Sequence, residues 1–261
     1  MKTLDMFSVD GRVTVIVGGK GYYGDCLTRT FAEAGAHVYI CARNIESLEN
    51  NAIGLRAEGF DVTAFRADQS NEQDVLAFRD FVLERVGRVD ILVMNAVART
   101  CHGFDRPISE FEESMRINAT GTFAVARAFG NVMKEQGIGS IIMVGSIQGM
   151  IGPDADLYAG LGMDGYYAPD YFFHKGGMIN LCRFLASYYG PHGVRVNVVS
   201  PGGCHEHGKE TAFSERYGKR TFLGRMAYAE DLVGTILFLA SDASAYVTGV
   251  NIPVDAGYTA K

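Results

Sequence analysis

The stretch RVTVIVGGKGYYGDCLTRTFAEAG, residues 12–35, decides how the rest of the chain is read. RVTVIV (12–17) is a short, nearly unbroken apolar run, and DCLTRTFAEAG (25–35) has the mixed pattern of a helix that buries one side. Between them, VGGKGYYG (17–24) carries glycines at 18, 21 and 24. Glycines so placed permit a tight turn, let backbone approach a pyrophosphate and allow close helix packing, while the helix N-terminus offers unspent N–H groups to an anion. A glycine-rich turn that merely joins a strand to a helix is the competing reading, and the order of the following elements has to separate the two.

Six further apolar runs follow: HVYICA (37–42), DVTAF (61–65), DILVMN (90–95), SIIMVG (140–145), VRVNVV (194–199) and VNIPV (250–254). Most lack polar alternation, so they read as strands buried on both faces of a parallel sheet. Helical segments lie between them, two with capping-box patterns, Ser70 with Gln73 and Ser109 with Glu112. The alternation predicts an α/β fold: a single doubly wound Rossmann-type domain over residues 1–261, its mostly parallel sheet of about seven strands covered by helices on both faces. A glycine turn after the first strand of such a chain points to a dinucleotide. Two segments, about 147–170 and 202–227, break the rhythm with Gly, Tyr, His and Asp, and loops of that length are usually functional or mobile.

Composition narrows the partners. The net charge of −6 argues against nucleic acid, which calls for basic surface. No run approaches the roughly 18 apolar residues of a membrane span, and MKTLDMFSVDGR lacks the pattern of a signal peptide, so the expected location is cytoplasmic. Cys26, Cys41, Cys101, Cys182 and Cys204 are odd in number, scattered and without CxxC spacing, which fits reduced thiols rather than disulfides or a zinc site.

The end of the second strand addresses which dinucleotide is bound. An acidic residue there would hold the ribose hydroxyls of NAD, whereas this strand ends Cys41-Ala42-Arg43. Arg43 can pair with a 2′-phosphate through its planar fork, and Lys20 could add a second charge. NADP(H) is favoured, with NAD(H) possible. Asp68, in RADQS after the third strand, is placed either to accept a bond from an adenine amino group or to shape a turn.

Together these pieces resemble the short-chain dehydrogenase/reductase family, from about Gly11 to Tyr258. The family's Asn-Asn-Ala-Gly is matched by Met94-Asn95-Ala96-Val97, its helix-borne asparagine by Asn118 in RINATGTF, and its serine by Ser146 in MVGSIQG. Its Tyr-x-x-x-Lys is matched by YFFHK, Tyr171 to Lys175, and its later strand and tail by RVNVVSPGG and FLASDASAYVTGVNIPVDAGYTA. The resemblance implies a catalytic set of Asn118, Ser146, Tyr171 and Lys175. It implies a cofactor held by Gly18, Lys20, Gly21, Tyr22, Tyr23, Gly24, Arg43, Asp68, Gln69, Asn95, Ala96, Pro201 and Gly202, with Tyr171 and Lys175 at its nicotinamide end. Tyr171 would exchange a proton with the reacting oxygen, and Lys175, one helical turn on, would favour its phenolate. Ser146 would hydrogen-bond the substrate oxygen, and Asn118 would position a water relaying protons to Lys175. A homotetramer or homodimer is implied as well.

The chain also departs from the family pattern. Tyr22 stands where the middle glycine of the usual turn falls, so Gly21 is expected to take over the close approach, in a spacing like that of the family's longer, sugar-nucleotide-acting branch. Val97 and Ala256 replace glycines, and no threonine follows Pro201-Gly202 at the usual spacing, leaving His205 or backbone to hold the carboxamide. The Ser146-to-Tyr171 interval is longer than is common, and PDADLYAGLGMDGYYAPD (153–170) resembles segments of members acting on sugars linked to surface polysaccharide. With Gln148 and CHEH (204–207) it suggests a polar substrate pocket. His205 and His207 alone do not make a metal site, and no metal is expected. The expected activity is NADP(H)-dependent interconversion of a secondary alcohol and a ketone on a small, polar, sugar-like substrate. Reduction of 3-oxoacyl thioesters and a non-catalytic dinucleotide-binding sensor or assembly subunit are the alternatives.

Overall fold

The computed structural model describes residues 2–162, 168–205 and 211–261. Its centre is a parallel sheet of β1 (Val13–Val17), β2 (His37–Ala42), β3 (Val62–Arg66), β4 (Ile91–Met94), β5 (Gly139–Val144), β6 (Val194–Pro201) and β7 (Asn251–Val254). The order across the sheet is β3-β2-β1-β4-β5-β6-β7, so the chain reverses direction between β1 and β4. That reversal opens a crevice at the carboxyl ends of the strands, where α/β sheets bind ligands.

Successive residues of a strand face opposite sides, which explains the unbroken apolar runs. Val13, Val15 and Val17 of β1 point into one core layer with Phe78, Phe129 and Tyr189, whereas Ile16 points into the other with Phe31, Leu48 and Ile236. Phe31, Phe78, Phe129 and Ile16 are fully buried, each contributing roughly 1.5–3 kcal/mol relative to exposure. The first layer is covered by α3 (Glu72–Val86), α5 (Gly121–Gln136) and α7 (Pro169–Tyr189), the second by α1 (Tyr22–Glu33), α2 (Ile45–Ala57) and α9 (Glu230–Ala240).

Both capping-box expectations fail. Asn71 caps α3 by accepting from the Gln73 N–H (3.0 Å), because the Ser70 hydroxyl is spent on Asp68 (2.7 Å). The short helix α4 (Ile108–Met115) starts two residues early, after Pro107, so Ser109 lies inside its first turn. From α4 the chain passes through a π turn, Arg116–Thr120, into α5. The two long segments also hold more order than their composition suggests: α6 (Ala155–Tyr158) lies in one and α8 (Ala212–Gly218) in the other. They bind each other through the Arg220–Asp154 ion pair, an Arg216 bond to the Ala159 carbonyl (2.6 Å) and Tyr158 against Phe213 (5.5 Å between rings).

Candidate active site

The glycine turn is defined by contacts that admit no side chain. Gly18 has φ +87°, and a β-carbon on it would lie 2.5 Å from the Ala96 nitrogen; one on Gly24 would lie 2.5 Å from the Gly18 carbonyl oxygen. The Asn95 amide locks the pair of strand ends by donating to that same oxygen (2.7 Å). Gly21, at φ +88°, faces open space and caps α1, so Tyr22, Tyr23 and Gly24 occupy helical positions whose N–H groups have no intrahelical acceptor. A cleft of about 350 Å³ runs from this turn to Arg43 and Asp68 on one side and Ala96 and Ile117 on the other. The cradle fits a dinucleotide: backbone can approach where Gly18 and Gly21 lack side chains, and N–H groups converge at the helix start.

The charged end of the cleft differs in part from expectation. Lys20 is already neutralised by Asp25, with its ammonium 2.9 Å from both carboxylate oxygens. Arg43 is exposed and has no carboxylate within ion-pair distance among the described residues. Asp68 shapes a turn, accepting from the Ser70 N–H (2.9 Å) and hydroxyl, while still lining the cleft. Burial works against its charge, but those bonds, with Arg43 and Arg116 nearby, hold its carboxyl below the usual range. The Gln69 side chain is engaged by the Ile117 carbonyl (3.0 Å), and both residues border the cleft.

Helix α7 carries both Tyr171 and Lys175. Lys175 is buried and donates to the Val144 carbonyl at the end of β5 (2.6 Å); its ammonium lies 5.8 Å from the Tyr171 ring centre. Burial, then the Arg99 guanidinium, push its pKa from 10.5 down to about 7. Ser146, two residues beyond Val144, accepts from the Gln148 N–H (3.1 Å) and opens a 3-10 turn, Ile147–Gly149. That turn lies directly on α7, since a β-carbon on Gly149 would meet the Lys175 carbonyl at 2.6 Å.

Asn118 sits in the π turn, a distortion often found at functional sites. Its amide oxygen accepts from the Ala98 N–H (2.9 Å) and its NH₂ donates to the Ala98 carbonyl (2.8 Å) and the Ser114 hydroxyl (3.0 Å). What remains for a water is its backbone carbonyl, which takes the Thr122 hydroxyl (2.6 Å) and has a second lone pair. Ser114 in turn donates to buried Asp170 on α7, so the π turn and α7 are tied together beside the Tyr-Lys pair.

On the far side, Gly202 bonds the Val254 carbonyl (3.0 Å) just past Pro201, and the Gly203 N–H donates to the Tyr217 hydroxyl (2.5 Å). The His205 N–H donates to the Ala227 carbonyl (2.7 Å), and its ring lies 6.0 Å from that of Tyr228; His207 falls outside the described residues. Among the described residues no group of three His, Cys, Asp or Glu side chains could hold a metal ion. Gln148 lines a separate cavity of about 520 Å³ with Phe104, Met150, Ile151 and Phe172, apolar where a polar pocket was expected. Val97 keeps an ordinary backbone, whereas Ala256 takes φ +55°, alone with positive φ among the described non-glycine residues.

Several residues near Tyr171 escaped the sequence reading. Arg99 lies 4.7 Å from the centre of its ring, and His174 packs edge-on at 5.1 Å with neither ring nitrogen hydrogen-bonded. Tyr23, expected at the cofactor, has its hydroxyl buried beside the Cys204 thiol, without a bond of normal geometry to it; burial first, then Cys204, push its pKa up.

A dinucleotide cradle leading to a Tyr-Lys pair, with a serine and an asparagine on the adjoining turns, defines a nicotinamide-nucleotide oxidoreductase. The family profile described as enoyl-(acyl carrier protein) reductase matches residues 23–259. D-threitol dehydrogenase of Mycolicibacterium smegmatis is 30% identical over 98% of this chain and 95% of its own. Among solved structures, a gluconate 5-dehydrogenase from Burkholderia cenocepacia J2315 in complex with NADP and tartrate superposes with a TM-score of 0.89 at 32% identity, covering 100% of both chains. A short-chain dehydrogenase from Leptospira borgpetersenii with bound NAD+ gives a TM-score of 0.84 at 29% identity, covering 99% of this chain and 96% of that one. The chain belongs to the short-chain dehydrogenase/reductase family, whose members act on CH–OH groups.

Proposed function

We propose that the protein interconverts a secondary alcohol and a ketone on a small polyhydroxylated substrate, with NADP(H) preferred over NAD(H). The observation that carries the chemistry is the buried Lys175 ammonium, fixed to the Val144 carbonyl and one helical turn from Tyr171. The nicotinamide, when bound, supplies or accepts the hydride. Tyr171 gives the proton to the carbonyl oxygen during reduction and takes it from the hydroxyl during oxidation. Ser146 donates a hydrogen bond to that oxygen, Lys175 favours the tyrosinate, and Asn118 holds the wall behind them and offers its carbonyl to a water that returns the proton.

The unpaired Arg43 supports the NADP preference, since its guanidinium is left to meet a 2′-phosphate. Relatives named for threitol and gluconate support a sugar-like substrate, with the segments at 147–170 and 202–227 as its loops. Exposed Phe173, Phe184 and Tyr188 on α7 support assembly as a homotetramer or homodimer, and five free cysteines fit a cytoplasmic protein. The apolar cavity beside Gln148 favours a second reading, 3-oxoacyl-thioester reduction.

The test is a nicotinamide-fluorescence titration of wild type and Arg43→Ala, followed by turnover on polyols, ketoses and 3-oxoacyl thioesters. NADPH affinity should drop about 10- to 100-fold in the variant, with NADH little changed. Equal weakening of both would defeat the phosphate assignment, and turnover of thioesters alone would select the second reading.

A further inference from the structure

From the placement of Arg99 we infer that the substrate is an acid: a polyhydroxylated hydroxy acid or keto acid whose carboxylate pairs with Arg99 a few bonds from the carbon that Tyr171 serves. The inference rests on the alcohol–ketone reading above and adds the charge of its substrate.

Arg99 follows β4 and lies with its guanidinium carbon 4.7 Å from the centre of the Tyr171 ring. Most arginines of this chain are committed to carboxylates, as in Arg29 with Glu58, Arg106 with Glu110, Arg116 with Glu113 and Arg225 with Asp231. Arg99 is exposed and makes no such pair among the described residues. A long cation left at a reactive centre with only a ring beneath it keeps its bidentate fork for something that arrives.

Its backbone, by contrast, is held on both sides. Ala98 is gripped at N–H and carbonyl by Asn118, the Thr100 hydroxyl donates to the Glu110 carbonyl (3.1 Å), and the His102 N–H donates to the Glu110 carboxylate (3.3 Å). Immobilising the main chain while leaving the guanidinium uncommitted is what a ligand-binding arginine requires.

The surrounding charge favours an anion too. Arg99 stands close enough to Lys175 to disfavour the charged form of the lysine, after burial. Of the carboxylates beside this loop, Glu110 is paired with Arg106, and Asp170 is buried with one oxygen taking the Ser114 hydroxyl and the other without a hydrogen-bond partner. A cationic spot thus persists at the reactive centre of a chain whose net charge is −6. A carboxylate arriving there gains a partner and relieves the repulsion between the two cations.

The test compares a hexulosonate with the hexulose of equal length, in which a CH₂OH replaces the carboxylate, using NADPH and wild-type, Arg99→Gln and Arg99→Lys enzymes. Wild type should show the higher kcat/KM on the acid. Because Arg99 also touches the Tyr171 ring and acts on Lys175, Arg99→Gln should shift kcat on both compounds by a shared factor; the anchor is read in KM, which should rise roughly 10- to 100-fold more for the acid than for the hexulose and be partly rescued by lysine. Wild-type preference for the neutral ketose, or the same change of KM on both compounds, would overturn the anchor. If neither compound is turned over, the alcohol–ketone reading for these sugars fails, and calorimetric titration of the enzyme–NADPH complex with the hexulosonate still decides the anchor. Binding that Arg99→Gln abolishes supports it; absent or unaltered binding overturns it.

Discussion

The floor of the cleft and the cap beside it are held by opposite means. In the floor, backbone meets backbone at distances that leave no room for a β-carbon: Gly18 on Ala96, Gly24 on Gly18, Gly149 on Lys175. In the cap, α6 and α8 meet through long side chains, Arg220 on Asp154, Arg216 on carbonyls and Tyr158 on Phe213. The contrast teaches where tolerance lies. Hydride and proton transfer need fixed positions, which close packing supplies, whereas side-chain contacts can be exchanged to change the substrate without moving the chemistry.

The largest effect should come from the floor. Gly18→Ala places a methyl against the Ala96 backbone at a φ that only glycine accepts readily, and should cost more than about 2 kcal/mol of stability and at least roughly 100-fold in NADPH affinity. Thermal unfolding and fluorescence titration check it, and near-normal values would show the floor to be compliant.

Next comes the dry interior of α7. Burial first, then Lys175 and Arg99, push the His174 pKa from 6.5 down to about 3. The unfolded chain therefore holds a proton that the native state refuses between about pH 6.5 and 3. Stability contributed by neutral His174 is complete above pH 6.5 and is lost as pH falls toward 3. His174→Leu, which forfeits no hydrogen bond, should move the acid-unfolding midpoint to lower pH and leave stability at pH 8 nearly unchanged or raised. An unshifted acid midpoint would mean that the ring is hydrated.

The smallest effect belongs to the cap. Arg220→Ala removes a partly exposed ion pair and should cost about 1 kcal/mol, raising KM a few-fold with kcat preserved. A loss of kcat as large as that from Gly18→Ala would erase the distinction between the two regions.

The floor was largely legible in the sequence, because strands, glycines and the Tyr-x-x-x-Lys spacing are local signals, and all seven strands lie within a residue or two of the apolar runs that announced them. Partnership was not legible. That Asp25 would claim Lys20, Ile117 the Gln69 amide and Asp68 the Ser70 hydroxyl depends on three-dimensional neighbours, as does the fact that no carboxylate among the described residues pairs with Arg99. The π turn under Asn118 has no sequence signature of its own, since an extra residue in a helix is absorbed by packing against α7. The helices α6 and α8 were hidden by loop-like composition, their short lengths being stabilised by each other rather than by propensity.

The most direct test of the account is Tyr171→Phe, assayed for turnover with NADPH and for NADPH binding. Removing only the proton-transferring hydroxyl should lower kcat by about 1,000-fold while Kd for NADPH stays within roughly twofold. Retained turnover in that variant would contradict the assignment of Tyr171, and with it the reading of α7 as the reactive wall of the cleft.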